Sequence, residues 1–408
     1  MTAVSLAPIG VLLLVACLIA ILCRRIGLPY IVGLVVAGIL MALLPNAPEL
    51  PLSRGLIFNV FLPPLVFEAA LQLEWKRFKD ELPLTLTLAL VGVGLAAALV
   101  AAAMHLLVGW SWIGALLFRV LIAATDPVSV IASFREIRVE PRLSMLVESE
   151  SLLNDGVAAV AFVVLSAIAA GASAGAAVVI PVFVWTMAGG ALFGIGVSGL
   201  ILWIAGRTND HLVEITLTTV AAYGSFLIAE HFHASGVIAA LAAGLMVGNV
   251  GWMGLISNEG RDHIVSAWEY FAFLANSFVF IIIGMNAANQ PLHDLGSVTA
   301  GVAIVAVLIG RLISAYPLSA LFMASRWRVP LRYQHVLFWG GLRGALALAL
   351  ALAVPPTVPE RGAIIVTAFV VVAFSILVQG LTMPWLVRRL GLAGKREDEP
   401  VAAPAGES

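Results

Sequence analysis

The chain has 408 residues, of which 62% are hydrophobic and only 11% are charged. Soluble domains carry about 25% charged residues, so this composition excludes an ordinary soluble domain. It predicts an all-α polytopic membrane protein, because helices satisfy their own backbone hydrogen bonds in lipid. The formal net charge is −1 and no basic run is present, so nothing indicates a nucleic-acid partner.

The apolar segments predict about thirteen transmembrane helices, since a span needs about 20 apolar residues. The second and ninth segments are short, which favours tilt or cover by neighbouring helices. The predicted spans are 7–23, 30–44, 55–73, 82–107, 110–134, 143–171, 179–205, 212–231, 235–250, 267–286, 298–323, 333–354 and 361–386.

The distribution of basic residues predicts the orientation of these spans. With the C-terminus in the cytoplasm, thirteen spans place the N-terminus outside. Of the 22 Lys and Arg residues, 17 then fall in inside segments, two outside and three within spans, as the positive-inside rule requires. The polar segment 388–408 is expected to be a short, disordered cytoplasmic tail.

Two spans have the composition of broken helices. The fifth contains Thr125-Asp126-Pro127, and proline disfavours helix at the residue before it. The twelfth contains Gly340-Gly341-Leu342-Arg343-Gly344, and each glycine weakens a helix by about 1 kcal/mol. Spans five and twelve are an odd number apart and therefore run in opposite directions, as the inverted repeats of many transporters do.

The sixth span carries the polar run Glu150-Ser151-Leu152-Leu153-Asn154-Asp155. Residues four apart share a helix face, so Glu150 lies above Asn154, and Ser151 above Asp155. An uncompensated charge within a membrane is costly, so a carboxylate there must be protonated or bound to a cation. Proton and cation would then compete for Asp155. Ser151 and a freed carbonyl near Thr125 offer further oxygen ligands for a hard cation.

Three other charged residues within spans have expected partners. Asp126 suits the positive ends of the crossed half-helices, and Arg343 suits the negative ends; the alternative is an unrelated local salt bridge. Arg311 cannot shed its proton, so we expect it to pair with Glu150. Its alternatives are snorkelling to the surface or bonding to carbonyls. That pairing would leave Asp155 as the titrating group.

These motifs resemble the monovalent cation:proton antiporter family, which includes the sodium/proton antiporters and exchangers of microbes and animals. The likeness covers nearly the whole membrane region, and six landmarks in the family's order make it specific. The landmarks are Leu62-Pro63-Pro64-Leu65-Val66-Phe67-Glu68, Ala124-Thr125-Asp126-Pro127-Val128, Glu150-Ser151-Leu152-Leu153-Asn154-Asp155-Gly156, Ser235-Gly236-Val237 with Ala243-Gly244-Leu245, Arg311, and Gly340-Gly341-Leu342-Arg343-Gly344-Ala345.

The resemblance implies a homodimer in which interface helices, at about 7–73 and 179–286, support a moving core at about 82–171 and 298–386. It also implies that residues 1–387 form one transporter unit. The short tail and the lack of targeting elements favour a prokaryotic inner membrane. The activity would be exchange of Na⁺ or Li⁺ for H⁺ by alternating access, serving pH and sodium homeostasis, with no cofactor.

The resemblance implies residue roles as well. Asp155 would be the carboxylate shared by Na⁺ and H⁺, with the Thr125 backbone oxygen and the Ser151 hydroxyl as further ligands. Asn154 would brace spans five and six and, with Glu150, belong to the cation- and proton-binding set. An Asn-Asp pair at 154–155 marks the electroneutral branch of the family, with one cation exchanged for one proton.

Two departures and several alternatives remain. Glu148, three residues before Ser151, is additional and is expected to be solvated, the alternative being that it draws in cations. Arg119 stands where the family usually has a small residue, on roughly the same helical face as Asp126, and it is expected to compete for a carboxylate or to shift the working pH. Potassium is the alternative cation, because it also takes oxygen ligands. A cation channel or sensor would be a different class, but no filter-like motif is visible. An intramembrane enzyme is not expected, because there is no HExxH motif.

Overall fold

The computed structural model of the chain describes residues 7–44, 53–126, 130–131, 134, 137–172, 175–290 and 296–393. This part of the chain is built from helices and contains no strand, so the predicted all-α class is confirmed. Nine of its helices are long and apolar enough to cross a membrane. Other apolar helices are shorter, and the count of thirteen spans stays a prediction.

The helices are numbered here in chain order and run roughly as the sequence predicts. They are α1 Ala7–Ile26, α2 Tyr30–Ala42, α3 Ile57–Gln72, α4 Trp75–Val108, α5 Trp112–Leu121, α6 Pro141–Ala169, α7 Ala176–Ala205, α8 His211–His231, α9 Gly236–Asn249, α10 Asn258–Ala288, α11 Ser297–Leu321, α12 Leu331–Trp339, α13 Ala345–Leu352 and α14 Arg361–Arg389.

Two helices begin earlier than their apolar segments predict. Helix α4 begins at Trp75 and α10 at Asn258, each with a polar first turn that lies outside the apolar segment. The start of α10 is capped, because the Ser257 hydroxyl accepts a hydrogen bond from the Gly260 N–H at 2.9 Å. Glu214 in turn accepts from the Ser257 N–H at 3.0 Å. Such caps satisfy the free N–H groups of a first turn and let a helix extend beyond its apolar stretch.

Small residues let α2 and α10 approach closely. A Cβ atom added at Gly284 would lie 3.0 Å from the Gly38 Cα, and one at Gly38 would overlap the Ile281 carbonyl. Close backbone packing at glycine is a common way to hold membrane helices together, because the lipid offers no hydrophobic drive for association. These two glycines therefore fix the spacing of a major helix pair.

The remaining helix contacts show which helices pack around the ends of the broken ones. Helix α9 packs against α3, α7 and α8, whereas α4 packs against α5, α6 and α11. Helix α13 contacts both α5 and α14. The division of the helices into an interface group and a moving core remains a prediction.

Candidate ion-binding site

The two predicted helix breaks lie against each other. Helix α5 ends at Leu121, and residues 124–126 are not helical; α12 ends at Trp339, and α13 begins only at Ala345. The two breaks are joined by a backbone hydrogen bond, from the Asp126 N–H to the Leu342 carbonyl at 2.8 Å. The broken helices are therefore present as predicted. Pro127 lies outside the described residues.

Arg343 lies at the negative end of α5. It is buried, and its Nη1 donates to the Ala123 carbonyl at 3.1 Å, just beyond the last residue of α5. The last carbonyls of a helix lack partners within the helix and carry partial negative charge. The guanidinium therefore lies where it can compensate this half-helix, and that role stays a prediction. Its backbone N–H donates to the Ser375 hydroxyl at 3.0 Å, which fastens the second break to α14.

Asp126 lies at the positive end of α13. A Cβ atom added at Gly344, the residue before α13, would come within 2.5 Å of the Asp126 Cβ and 2.8 Å of its Oδ2. Only glycine leaves room for this approach. The Asp126 side chain therefore lies beside the start of α13, where free N–H groups favour a negative charge.

Asp155 is held by the first break. Its Oδ1 accepts a hydrogen bond from the Thr125 N–H at 3.0 Å. The Ser151 hydroxyl donates to the Thr125 carbonyl at 2.6 Å, and the Thr125 hydroxyl donates to the Ser151 oxygen at 3.0 Å. A carboxylate, two hydroxyls and a main-chain carbonyl thus meet at one place, all of them buried. The loss of helix at residue 125 is what frees its N–H and C=O for these contacts.

Asp155 faces a small cavity of about 50 Å³. The polar side chains in its wall are Thr125, Asp126, Asp155 and Asn276, and the rest of the wall is apolar. One water needs about 10–15 Å³ of such volume, so the cavity has room for only a few waters or for a cation that has lost most of its hydration. Asp155 itself is 8% exposed, which leaves it a narrow opening.

Asn276 was not identified from the sequence. It lies on α10, is 6% exposed and lines the same cavity. Its signal in the sequence is an amide inside the apolar run 271–285. That signal does not say which helix face turns toward the broken helices, so only the packing of α10 assigns it to the site.

Glu150 is engaged by Arg311. The Nη1 and Nη2 atoms of Arg311 donate to the two Glu150 carboxylate oxygens, the second at 2.7 Å. The Arg311 Nε and Nη2 also donate to the Leu337 carbonyl near the end of α12, at 3.0 and 2.6 Å. Both interactions anticipated for Arg311, a carboxylate and a carbonyl, are therefore present. A Cβ atom at Gly341 would lie 2.8 Å from the Arg311 Nε, so glycine there makes room for the guanidinium.

Asn154 connects this ion pair to the first break. Its Nδ2 donates to Glu150 Oε1 at 2.8 Å and lies 3.4 Å from the Thr125 hydroxyl oxygen. The amide is neutral and cannot titrate. It therefore joins α6 to the residues after α5 without adding charge, in the bracing position that the sequence predicts.

Arg119 is also buried, on α5. It is 4% exposed, and among the described residues its Nε and Nη1 have no hydrogen-bond acceptor. The competition for a carboxylate expected from the sequence is therefore not seen in this part of the chain.

Comparison with known proteins agrees with the fold and the motifs. Residues 11–389 match the family model described as "Sodium/hydrogen exchanger, transmembrane". The Na(+)/H(+) antiporter NhaS2 of Synechocystis sp. is 38% identical over 386 residues, which cover 94% of this chain and 70% of that protein. ApNhaP of Aphanothece halophytica, also a Na(+)/H(+) antiporter, is 39% identical over 374 residues, 90% of this chain and 71% of that protein.

The structure of the sodium proton antiporter MjNhaP1 from Methanocaldococcus jannaschii at pH 8 has the same fold. It superposes with a TM-score of 0.74 at 17% identity, covering 94% of this chain and 99% of the other. With the family model matched over nearly the whole membrane region, the chain belongs to the sodium/hydrogen exchanger family.

Proposed function

We propose that this chain is a secondary active antiporter that exchanges Na⁺ or Li⁺ for H⁺, with Asp155 as the carboxylate shared by both ions. The observation that carries the proposal is the position of Asp155, which faces a small cavity and bonds Thr125, the residue whose carbonyl accepts from the Ser151 hydroxyl. The named activity of the curated relatives, Na(+)/H(+) antiport, supports it.

Competition at one carboxylate is enough to couple the two fluxes. An ionised Asp155 in a cavity of this size needs a positive partner, because an uncompensated charge in the membrane is costly. Either Na⁺ or a proton fills that role, and each excludes the other. When Na⁺ binds, the Ser151 hydroxyl and the second lone pair of the Thr125 carbonyl are the oxygen ligands that lie within reach.

The surrounding charges support an electroneutral exchange. Both oxygens of Glu150 are bonded to Arg311, Asn154 is neutral, and Asp126 lies at the positive end of α13. Asp155 is then the carboxylate that gains and loses charge during the cycle. One Na⁺ exchanged for one H⁺ moves no net charge across the membrane.

The position of the cavity supports alternating access. Its wall combines Leu62 and Val66 of α3 and Phe280 of α10 with Thr125 and Asp155. Helices α3 and α10 belong to the proposed interface group, and the last two residues to the proposed core. A movement of the core against the interface would therefore open the cavity to one side of the membrane at a time. We further propose a homodimer in a prokaryotic inner membrane, with the N-terminus outside and the C-terminus in the cytoplasm.

The test uses purified protein in liposomes with an acidic lumen. The pH of the lumen is followed after separate additions of Na⁺, Li⁺ and K⁺, with and without a clamped membrane potential. Alkalinisation by Na⁺ and Li⁺ alone, unaffected by the potential, is expected. A response to K⁺ would reassign the cation, a response to the potential would overturn electroneutrality, and no response to any ion would overturn antiport.

A further inference from the structure

A second cavity lies away from the ion site, on the outer surface of α11, α12 and α14. Its volume is about 340 Å³, within the range of about 300–1,000 Å³ that is typical of ligand sites. Four of its wall residues are aromatic: Tyr316, Phe338, Trp339 and Trp385. Trp385 is 58% exposed, so the cavity opens to the outside of the protein.

Hydrogen bonds join four polar groups of this wall. The Tyr316 hydroxyl and His335 Nδ1 lie 2.6 Å apart in a hydrogen bond, and Trp339 Nε1 donates to the Thr382 hydroxyl at 2.7 Å. The surface that faces the cavity is therefore made mostly of ring faces and alkyl groups. Such a wall suits a hydrocarbon chain better than a polar solute.

Positive charge lies at one end of the cavity. The Arg389 guanidinium stacks on the Trp385 ring, 5.0 Å from its centroid. Arg332 lies one turn before His335 on α12 and close to the end of α14, 3.9 Å from the Cβ position of Gly391. In the part of the chain that the structure describes, neither arginine forms an ion pair.

An apolar recess with two arginines at its end matches a molecule that has a hydrocarbon chain and an anionic group. We propose that this cavity binds an anionic phospholipid, with an acyl chain between the aromatic rings and the phosphate at Arg332 and Arg389. Basic pockets between transmembrane helices on the cytoplasmic side bind such headgroups, and the basic-residue distribution assigns this end of α12 and α14 to the cytoplasm.

The site is linked to the second helix break. Trp339 is the last residue of α12, directly before Gly340, and its carbonyl accepts a hydrogen bond from Gln379 Nε2 of α14 at 3.2 Å. A lipid chain packed on Trp339 and Trp385 would contact both helices at once. It would therefore hold α12 against α14 beside the break and stabilise the folded protein.

The test measures lipid binding to the full chain, purified in detergent and stripped of lipid. Dioleoyl phosphatidylglycerol and dioleoyl phosphatidylcholine are titrated separately, and binding is followed by native mass spectrometry and by the rise in melting temperature. The variants are Arg389→Ala, Arg332→Ala and Leu386→Trp, which fills the cavity without changing charge. Arg207→Ala is the matched control. The Arg207 guanidinium also stacks on a tryptophan, 3.8 Å from the centroid of the Trp203 ring, and neither residue lines the cavity.

Selective binding of phosphatidylglycerol is the expected result. Each arginine variant should bind it about fivefold more weakly, which corresponds to about 1 kcal/mol for a basic residue at an anionic surface. Leu386→Trp should abolish saturable binding, and Arg207→Ala should change nothing. Equal binding of the two lipids would overturn the proposal. An equal loss of affinity for phosphatidylglycerol in Arg389→Ala and Arg207→Ala would also overturn it, because either result indicates that lipid binds nonspecifically around the protein. Unchanged binding in Leu386→Trp, with the variant folded, would place the lipid elsewhere.

Discussion

Removal of the Arg311 guanidinium should destabilise the protein strongly. Within the described residues Arg311 makes four hydrogen bonds, two to the Glu150 carboxylate and two to the Leu337 carbonyl. Arg311→Ala leaves Glu150, which is 3% exposed, as a buried carboxylate with only the Asn154 amide as an observed donor. Breaking a buried ion pair from one side costs about 3–5 kcal/mol.

That loss is large enough to measure by thermal unfolding in detergent. For a chain of this size 1 kcal/mol corresponds to about 2 °C, so the melting temperature should fall by roughly 6–10 °C. The matched control is Arg77→Ala, because Arg77 pairs with Glu74 at 2.9 Å and both side chains are more than half exposed. Exposed ion pairs contribute about 0–1 kcal/mol, so the control should fall by no more than about 2 °C.

A double variant separates the charge effect from lost packing. Glu150→Gln combined with Arg311→Met removes both charges and keeps similar volumes, so it should recover much of the stability lost in Arg311→Ala. An equal melting temperature for Arg311→Ala and Arg77→Ala would show that burial does not raise the cost of breaking this ion pair. A double variant no more stable than Arg311→Ala would show that lost packing, and not the unpaired charge, destabilises the single variant.

Three further predictions concern the site itself. Gly344→Ala should abolish exchange in liposomes and lower the melting temperature, because the added methyl group would overlap Asp126. The control Gly94→Ala places its methyl group in open space and should be neutral or stabilising by up to about 1 kcal/mol. Equal behaviour of the two variants would contradict the close approach of Gly344 and Asp126. Asn154→Asp should add a second titrating group and make transport respond to a clamped membrane potential; indifference to the potential would show that this pair does not set the stoichiometry. Ser151→Ala should stay folded but raise the Na⁺ concentration for half-maximal exchange about tenfold, as expected for a lost oxygen ligand worth about 1.4 kcal/mol; an unchanged concentration would remove this hydroxyl from the site.

The sequence was sufficient for the parts of the site that residue type determines. Asp126 and Arg343 could be assigned to half-helix ends because glycine and proline mark the breaks and because charge complements the exposed backbone groups. Arg311 and Glu150 could be paired because a permanent cation inside an apolar span needs an acceptor. These predictions depend on which charged residues lie within predicted spans and where the helix breaks fall. Both can be read from the identity and position of residues in the sequence.

The parts that depend on packing could not be predicted. The Leu337 carbonyl accepts a hydrogen bond from Arg311, and a leucine side chain gives no indication that its backbone carbonyl is available. The Asp155 carboxylate bonds the Thr125 N–H, whereas the sequence pointed only to the Thr125 carbonyl. Asn276 reaches the cavity because close helix contact at Gly284 fixes how α10 packs. Each of these features needs the relative placement of two helices that lie far apart in the chain.

If Na⁺ and a proton compete for the Asp155 carboxylate, binding of Na⁺ must displace the proton. Proton release can therefore be measured when Na⁺ is added. Na⁺ is added to the lightly buffered protein in detergent, and released protons are counted with a pH dye in the wild type, in Asp155→Asn and in the control Asp210→Asn. Asp210 is an exposed N-cap of α8, where asparagine serves equally well. Up to one proton per chain should be released in the wild type and in the control, and none in Asp155→Asn. Release of the same size from folded Asp155→Asn would contradict this competition.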